Sequence, residues 1–349
     1  MFDSYLNKVI SMVNLTRQES YEAMKHILDG YISDVRIASF LTALNMKEES
    51  VDEIVGFASC MRDHAIRINP KVDLLVDTCG TGGDRVKTIN VSTAAAVILS
   101  SCGVSVAKHG NRAVTSKAGS ADVLEALGLN LNQDYAQIEK SIEKIGIGFM
   151  FAPHFHPSMK RVASIRKELR IKTVFNILGP LTNPANANIQ LLGVYSEDLV
   201  HKMANVLSFL GCERGLVVHG TSGLDEISNV GETVICEINN GKLDSYKITP
   251  EEFGIKEARL SDIVGGNSLD NAKFMVDLLR GLKKDPRKDI ILMNASGALY
   301  AARIAKDFKE GIEIANQAIE DGSALKKLMK LIEFSGGDLN RLKIFGVDI

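Results

Sequence analysis

A chain of 349 residues is long for one hydrophobic core, so two domains are the expectation. The 41 Lys and Arg nearly cancel the 43 Asp and Glu, and the formal net charge of -2 removes the electrostatic basis for a nucleic-acid or anionic-membrane partner. Five scattered cysteines without C-x-x-C spacing argue against a zinc site or disulfide framework. The mixed-charge start and the lack of any apolar run near the roughly 18 to 20 residues of a membrane span make a cytoplasmic protein the expectation.

Residues 1–69 carry helix signals. "TRQESYEAMKHIL" and "SVDEIVGFASCMRDHAIRI" each open on a T/S-x-x-E capping box, Thr16 with Glu19 and Ser50 with Glu53, followed by apolar residues at helical spacing. Pro70 ends this helical segment, whose wide apolar face could meet a second copy of the chain. From Lys71 the pattern changes. "VDLLVDT", "GVSVAKHG", "IGFMFAP", "NIQLLGVYS", "RGLVVHG" and "TVICEINN" read as strands separated by helical stretches, and the C-terminal part returns to helix. Such alternation implies an α/β domain with a mainly parallel sheet, flanking helices, and ligands at the carboxyl ends of the strands.

The loop "DTCGTGGDRVKTINVSTAAA" fits neither common nucleotide motif. It has no G-K-[ST], and the third glycine of G-x-G-x-x-G would fall on Arg85. Gly80, Gly82 and Gly83 still allow close backbone approach, and Asn90, Ser92 and Thr93 stand where a helix begins and free N–H groups favour an anion. From glycine content alone, a phosphate site and a tight structural turn are about equally weighted. "AKHGNRAVTSKAGSADVLEALG" adds the cations Lys108 and Arg112 beside Gly110, with Asn111, Thr115, Ser116 and Ser120 as donors. The alternative is a solvated basic loop, but both segments follow strands of one sheet.

"HGTSGLDEIS" places Asp225 and Glu226 together after a strand. Adjacent carboxylates are commonly surface, yet opposite a phosphate loop they suit Mg²⁺, which takes one or two carboxylates plus substrate phosphates. In "FAPHFHPSMKRVASIRKELRIKTVFNILGPLTNPANA" the His154 and His156 pair lacks a nearby acidic ligand and reads as structural before metal-binding. Several cations follow on the "MKRVASIRKELR" helix, any one of which could meet a substrate carboxylate. "GPLTNP" reads as a rigid turn.

Taken in order, "MKEESVDEIVGF", "DTCGTGGD", "TINVSTAAA", "AKHGNR", "GSADVLEALG", "HPSMKRVASIRKEL", "NILGPLTNPA" and "GLDEIS" span nearly the whole chain, and the sequence closely resembles the anthranilate phosphoribosyltransferase family. The resemblance implies the nucleoside phosphorylase/phosphoribosyltransferase fold, with a helical domain over 1–69, helped by about 158–180, and an α/β phosphoribosyl pyrophosphate-binding domain over 70–349. It implies a homodimer formed through the helical part, and a glycosyltransferase of tryptophan biosynthesis that moves the phosphoribosyl group of 5-phosphoribosyl 1-pyrophosphate to the amine of anthranilate.

By matching positions, Gly80, Gly83, Asp84, Thr88, Asn90, Val91, Ser92, Thr93, Lys108, Asn111, Arg112, Ser116 and Ser120 would line the phosphoribosyl pyrophosphate site. Gly80, Asn111 and Arg166 would meet anthranilate, with the arginine fork on its carboxylate. Ser92, Asp225 and Glu226 would bind two Mg²⁺ per protomer. Lys108 would act electrostatically, and His109 could assist proton removal. Arg85 after "GTGGD" and Ser222 before "GLDE" depart from the usual family pattern, both beside matched residues. A nucleoside phosphorylase is the nearest rival, and a nucleotide-binding protein without turnover is the next. The acidic pair and Arg166 weigh against the first, and the near-neutral charge and the same pair against the second.

Overall fold

The computed structural model describes residues 1–83, 86–113 and 117–349. Four helices open the chain: α1 (Phe2–Ile10), α2 (Arg17–Leu28), α3 (Asp34–Lys47) and α4 (Val51–Asp63). Both capping boxes form. The Thr16 hydroxyl accepts from the Glu19 N–H while the Glu19 carboxylate accepts from the Thr16 N–H, and Ser50 with Glu53 repeats the arrangement on α4. Glu53 is also fully buried, accepting from the Leu15 N–H at 2.9 Å and from Lys47 Nζ at 2.7 Å, so one carboxylate ties α4 to α3 and to the turn before α2.

An alternating stretch follows, with β1 (Leu75–Gly80), α5 (Val91–Ser101), β2 (Ser105–Gly110), α6 (Ser120–Ala126), α7 (Tyr135–Ile145) and β3 (Ile147–Phe151). The chain then crosses back to the opening helices through α8 (Ala152–Phe155), α9 (Met159–Leu169) and α10 (Phe175–Leu178). It resumes with β4 (Ile189–Gly193), α11 (Asp198–Phe209), β5 (Arg214–Gly220), β6 (Thr233–Asn239) and β7 (Lys242–Ile248). Helices α12 (Ser268–Leu279), α13 (Pro286–Ala301), α14 (Phe308–Glu320) and α15 (Ser323–Phe334) complete the larger part. Among the described residues no helix is long and apolar enough to cross a membrane.

The return of α9 to the first four helices follows from its own pattern. Val162 and Ile165 lie three apart on one face and are buried with Phe40, Phe57 and Phe175. Arg161, one turn away from that seam, donates to the Gly30 carbonyl at 2.7 Å and pairs with Asp34 at 2.8 Å. The same apolar cluster continues through α11 into Leu192, Val194 and Val217 of the sheet, so the helical part and one sheet face share a core. The other face packs on α5, α13 and α15.

The seven strands run in the order β3-β2-β1-β4-β5-β6-β7, parallel from β3 to β5 and antiparallel at β6 and β7. Strand order reverses between β1 and β4, the place where an open α/β sheet leaves a crevice at its carboxyl edge. The glycine loop, the Lys108 loop and the Asp225 loop all leave the sheet at this edge. Strand β7 departs from the six strands expected from sequence. Its Lys242, Asp244 and Lys247 give it no apolar run, because an edge strand is paired on one side and its charges discourage further pairing. The usable signal was Asn240-Gly241, whose φ angles of 49° and 83° make the tight hairpin turn.

Candidate active site

A cavity of about 410 Å³ opens at the β1/β4 crevice, walled by the loops after β1, β2 and β5 and roofed by α8, α9 and α10. Its lining includes Gly80, Gly83, Thr88, Asn90, Val91, Ser92, Thr93, Lys108, His109, Asn111, Arg112, Ser120, Arg166, Asp225 and Glu226, so these candidates from four separate segments share one space. Asp84, Arg85, Thr115 and Ser116 lie outside the described residues.

The glycine loop is held from below. The Thr81 N–H donates to the Gly193 carbonyl at 2.9 Å and the Thr81 hydroxyl accepts from the Tyr195 N–H at 3.1 Å, fastening it to the end of β4. Gly82 and Gly83 take φ of +63° and +79°, a left-handed pair that turns backbone N–H groups toward one concavity. Gly80 is required by space, since a Cβ there would stand 2.3 Å from Asp225 Oδ2.

Asn90 stands before α5 without capping it. Its amide donates to the Ala118 carbonyl at 3.2 Å and its oxygen accepts from Asn271 Nδ2 at 2.9 Å, so the first N–H groups of α5 have no side-chain cap. Lys108 is 4% exposed; its ammonium donates to the Thr78 carbonyl and stands 3.5 Å from Ser92 Oγ. Arg112 also lines the cavity, but its guanidinium reaches Asp122 at 3.1 Å and Glu125 at 2.7 Å, carboxylates with which a phosphate would have to compete. Ser120 Oγ donates to the Asn111 carbonyl at 3.3 Å, and α6 behind it is seven residues long.

Asp225 is 8% exposed. Its Oδ2 accepts from the Gly82 N–H at 2.8 Å, and burial pushes its carboxyl up against that bond. A buried carboxylate with so little compensation is a good place for a cation. Among the described residues no group of three or more His, Cys, Asp or Glu forms a cage. The Asp225, Glu226 and Ser92 oxygens therefore fit Mg²⁺, which completes its shell from phosphate oxygens and water, better than an ion that needs an all-protein site.

At the opposite end of the cavity, Arg166 sits in the last turn of α9 with its guanidinium carbon 5.7 Å from the Phe175 ring centroid. Desolvation lowers its pKa, and among the described residues it makes no ion pair. Arg161 serves the Asp34 contact instead, which distinguishes two cations that helical periodicity alone left equivalent. The His109 ring is 5.2 Å from that of His156, and burial, then His156 and Lys108, hold it well below the usual histidine range. A neutral imidazole at neutral pH can accept a proton, but its low basicity makes it a weak general base. His156 points Nε2 at the Thr182 carbonyl, 3.1 Å away, which makes that nitrogen a donor rather than a metal ligand. His154 packs edge-on to Phe151.

Sequence reasoning did not single out Asp77, Cys79, Lys87, Ala152, Phe175 or Asn176, which also line the cavity, and it read Gly179 and Pro180 as a turn alone. Asp77 is fully buried, with burial raising its carboxyl. A lone carboxylate in the apolar run "LLVDTCG" was the available signal. The α10 residues carried none, because nothing in "TVFNILGPL" reveals that this segment folds over another strand's loop.

Comparison with known proteins follows this geometry. Residues 72–325 match the family model described as "Glycosyl transferase family, a/b domain", and residues 3–65 match "Glycosyl transferase family, helical bundle domain". The fold and the chain's two segments thus define a member of that glycosyl transferase class. The chain is 48% identical to the anthranilate phosphoribosyltransferase of Thermoanaerobacter sp. over 96% of its own length and 98% of the relative's. It is 46% identical to that of Acetivibrio thermocellus over 99% and 100%. Among solved structures, anthranilate phosphoribosyltransferase from Thermus thermophilus superposes with a TM-score of 0.90 at 42% identity, over 95% of this chain and 99% of that one. The Saccharomyces cerevisiae enzyme in complex with PRPP and Mg gives 0.86 at 30% identity, over 96% and 98%. The chain belongs to the anthranilate phosphoribosyltransferase family.

Proposed function

We propose that this protein transfers the phosphoribosyl group of 5-phosphoribosyl 1-pyrophosphate to the amine of anthranilate, releasing pyrophosphate, as a step of tryptophan biosynthesis. The observation that carries the reading is one cavity with two chemically different ends. One end has a left-handed glycine pair, the start of α5 and the buried Lys108 beside two carboxylates. The other has Arg166 beside the Phe175 ring. The first suits a polyphosphate that arrives with a divalent cation, the second an aromatic carboxylate.

On this reading the backbone of Gly80 and Gly83, Thr88, the Asn90–Thr93 turn, Lys108, Asn111 and Ser120 hold the phosphoribosyl pyrophosphate, with Asp84, Arg112 and Ser116 completing the set proposed from sequence. Arg166, Asn111 and Gly80 orient anthranilate so that its amine faces C1 of the ribose. Nitrogen forms the new bond to C1 as the bond from C1 to the pyrophosphate oxygen breaks, and the amine's proton leaves late or to solvent. Such a reaction needs no protein nucleophile; orientation and stabilisation of the leaving anion supply most of the acceleration. The Lys108 ammonium stabilises the departing charge. Mg²⁺, held by Asp225, Glu226 and Ser92, would neutralise pyrophosphate charge when bound. His109 is too weakly basic to be the main proton acceptor.

We further propose two Mg²⁺ per protomer, a cytoplasmic homodimer formed through the helical domain, and hinge-linked units over 1–69 with about 158–180 and over 70–349. The exposed Met1, Ile10, Met12, Tyr31 and Val35 support an interface on the helical part. The decisive experiment mixes the protein with Mg²⁺, phosphoribosyl pyrophosphate and anthranilate and follows loss of anthranilate fluorescence. Time-dependent loss that requires all three components is expected. No turnover at micromolar enzyme would overturn the assignment.

A further inference from the structure

The segment between α9 and α10 carries a cation that the cavity lining does not include. Lys172 Nζ lies 3.6 Å from the centroid of the Tyr195 ring, and its Cε and Nζ come within 3.8 and 3.9 Å of where a Cβ on Gly83 would stand. Tyr195 in turn binds the same loop through its backbone, donating its N–H to the Thr81 hydroxyl at 3.1 Å. One aromatic residue at the end of β4 therefore supports the glycine loop with its main chain and a lysine with its ring.

We infer that Lys172 is a further phosphate-binding residue, resting on the Tyr195 face beside the glycine loop and donating to a phosphate oxygen of the polyphosphate substrate seated there. The argument is geometric. Gly82 and Gly83, both at positive φ, offer backbone N–H groups to an anion, and the Gly82 N–H is already given to Asp225. A lysine on an aromatic face keeps its three N–H donors for other acceptors while the ring fixes where the charge waits. Glycine at 83 is also what leaves room for the lysine stem to lie across the loop.

Position in the fold gives the contact a second consequence. Lys172 belongs to the segment that packs with the opening helices, whereas Gly83 belongs to the α/β part. Tyr195 is wedged between the two, its hydroxyl pKa raised by burial and by Glu49 from the α3–α4 corner. A phosphate bridging Lys172 and the glycine loop would hold both parts on the same ligand, so polyphosphate binding would draw the Arg166 end of the cavity into register with the ribose end.

The inference rests on the proposed transferase reaction for its kinetic readout and not for its binding readout. Lys172→Met, Lys172→Arg, Tyr195→Phe and Tyr195→Leu are compared with the parent in two assays. In turnover, Lys172→Met is expected to raise KM for phosphoribosyl pyrophosphate about tenfold, the value of one charge-assisted hydrogen bond, with KM for anthranilate within about twofold. Lys172→Arg and Tyr195→Phe should stay close to the parent, because each keeps the charge or the ring, and Tyr195→Leu should fall between. In calorimetry with Mg²⁺ and inorganic pyrophosphate, Lys172→Met should bind about tenfold more weakly while its Tm stays within a few degrees of the parent. An unchanged pyrophosphate affinity, or equal loss in both KM values, would overturn the inference. If the parent binds pyrophosphate but turns nothing over, the transferase assignment fails while the calorimetric comparison still decides the role of Lys172.

Discussion

The Asp225 carboxylate reaches across the crevice and accepts a hydrogen bond from the Gly82 N–H at 2.8 Å, joining the acidic loop after β5 to the glycine loop after β1. An anion-binding loop and a carboxylate are thereby locked side by side. This arrangement is costly until a cation arrives, since burial raises the energy of the Asp225 charge and one N–H offsets little of it.

Asp225→Asn should therefore separate stability from function. The amide keeps an oxygen for the Gly82 N–H and removes the buried charge, so Tm without Mg²⁺ should hold or rise. The Mg²⁺ concentration for half-maximal rate should increase at least about tenfold, with Glu226→Gln acting in the same direction. Titrating rate against Mg²⁺ for each variant checks this, and an unchanged dependence would remove both residues from the metal site.

Gly193→Ala tests the same junction from the backbone. A Cβ at the end of β4 would come within 1.6 Å of the Asp225 carbonyl oxygen, and a main-chain atom cannot step aside as a side chain can. Displacing the acidic loop should cost about 1–3 kcal/mol in stability, read as a drop in denaturation midpoint. The Mg²⁺ dependence should weaken in parallel, because the carboxylates move with their loop.

These junctions explain what the sequence could and could not reveal. The capping boxes at Thr16 and Ser50 and the strand and helix alternation are local signals, and they marked helices α2 and α4 and most strands correctly in kind. The crevice between β1 and β4 is set by strand order, which no local pattern encodes. Gly193 accordingly read as a strand glycine, and its dependence on a loop more than thirty residues further along emerged with the fold. Lys172 carries no motif at all; its neighbours Tyr195 and Gly83 come from two other strands. The acidic pair and Arg166 were legible through the family resemblance rather than through spacing.

His156 supplies a pH prediction. Burial lowers its pKa from 6.5 to about 4, the Thr182 carbonyl opposing the shift, and the nearest titratable ring, His109, is held low as well. A histidine whose folded pKa is depressed binds its proton more readily when unfolded. Its neutral state therefore favours the fold above about pH 6.5, and that stability is lost as pH falls toward 4. Between pH 7 and 5 this one residue should account for about 2 kcal/mol of lost stability. Urea denaturation of His156→Asn at both pH values should show a loss smaller by about that amount than the parent's.

Arg166 decides whether the far end of the cavity recognises a carboxylate. Its guanidinium sits near the Phe175 ring with no ion pair among the described residues, and burial already weighs against its charge, so a bound carboxylate would relieve that cost. Arg166→Ala should raise KM for anthranilate by about 30-fold or more, as expected for a lost charged and bidentate contact, while KM for phosphoribosyl pyrophosphate changes little. Arg166→Lys should recover a small part, because a single ammonium matches the charge but not the fork. Aniline, which has the amine and no carboxylate, should react equally slowly with the parent and with Arg166→Ala. If the alanine variant instead slows aniline as much as anthranilate, Arg166 supports the cavity wall and the carboxylate is bound elsewhere.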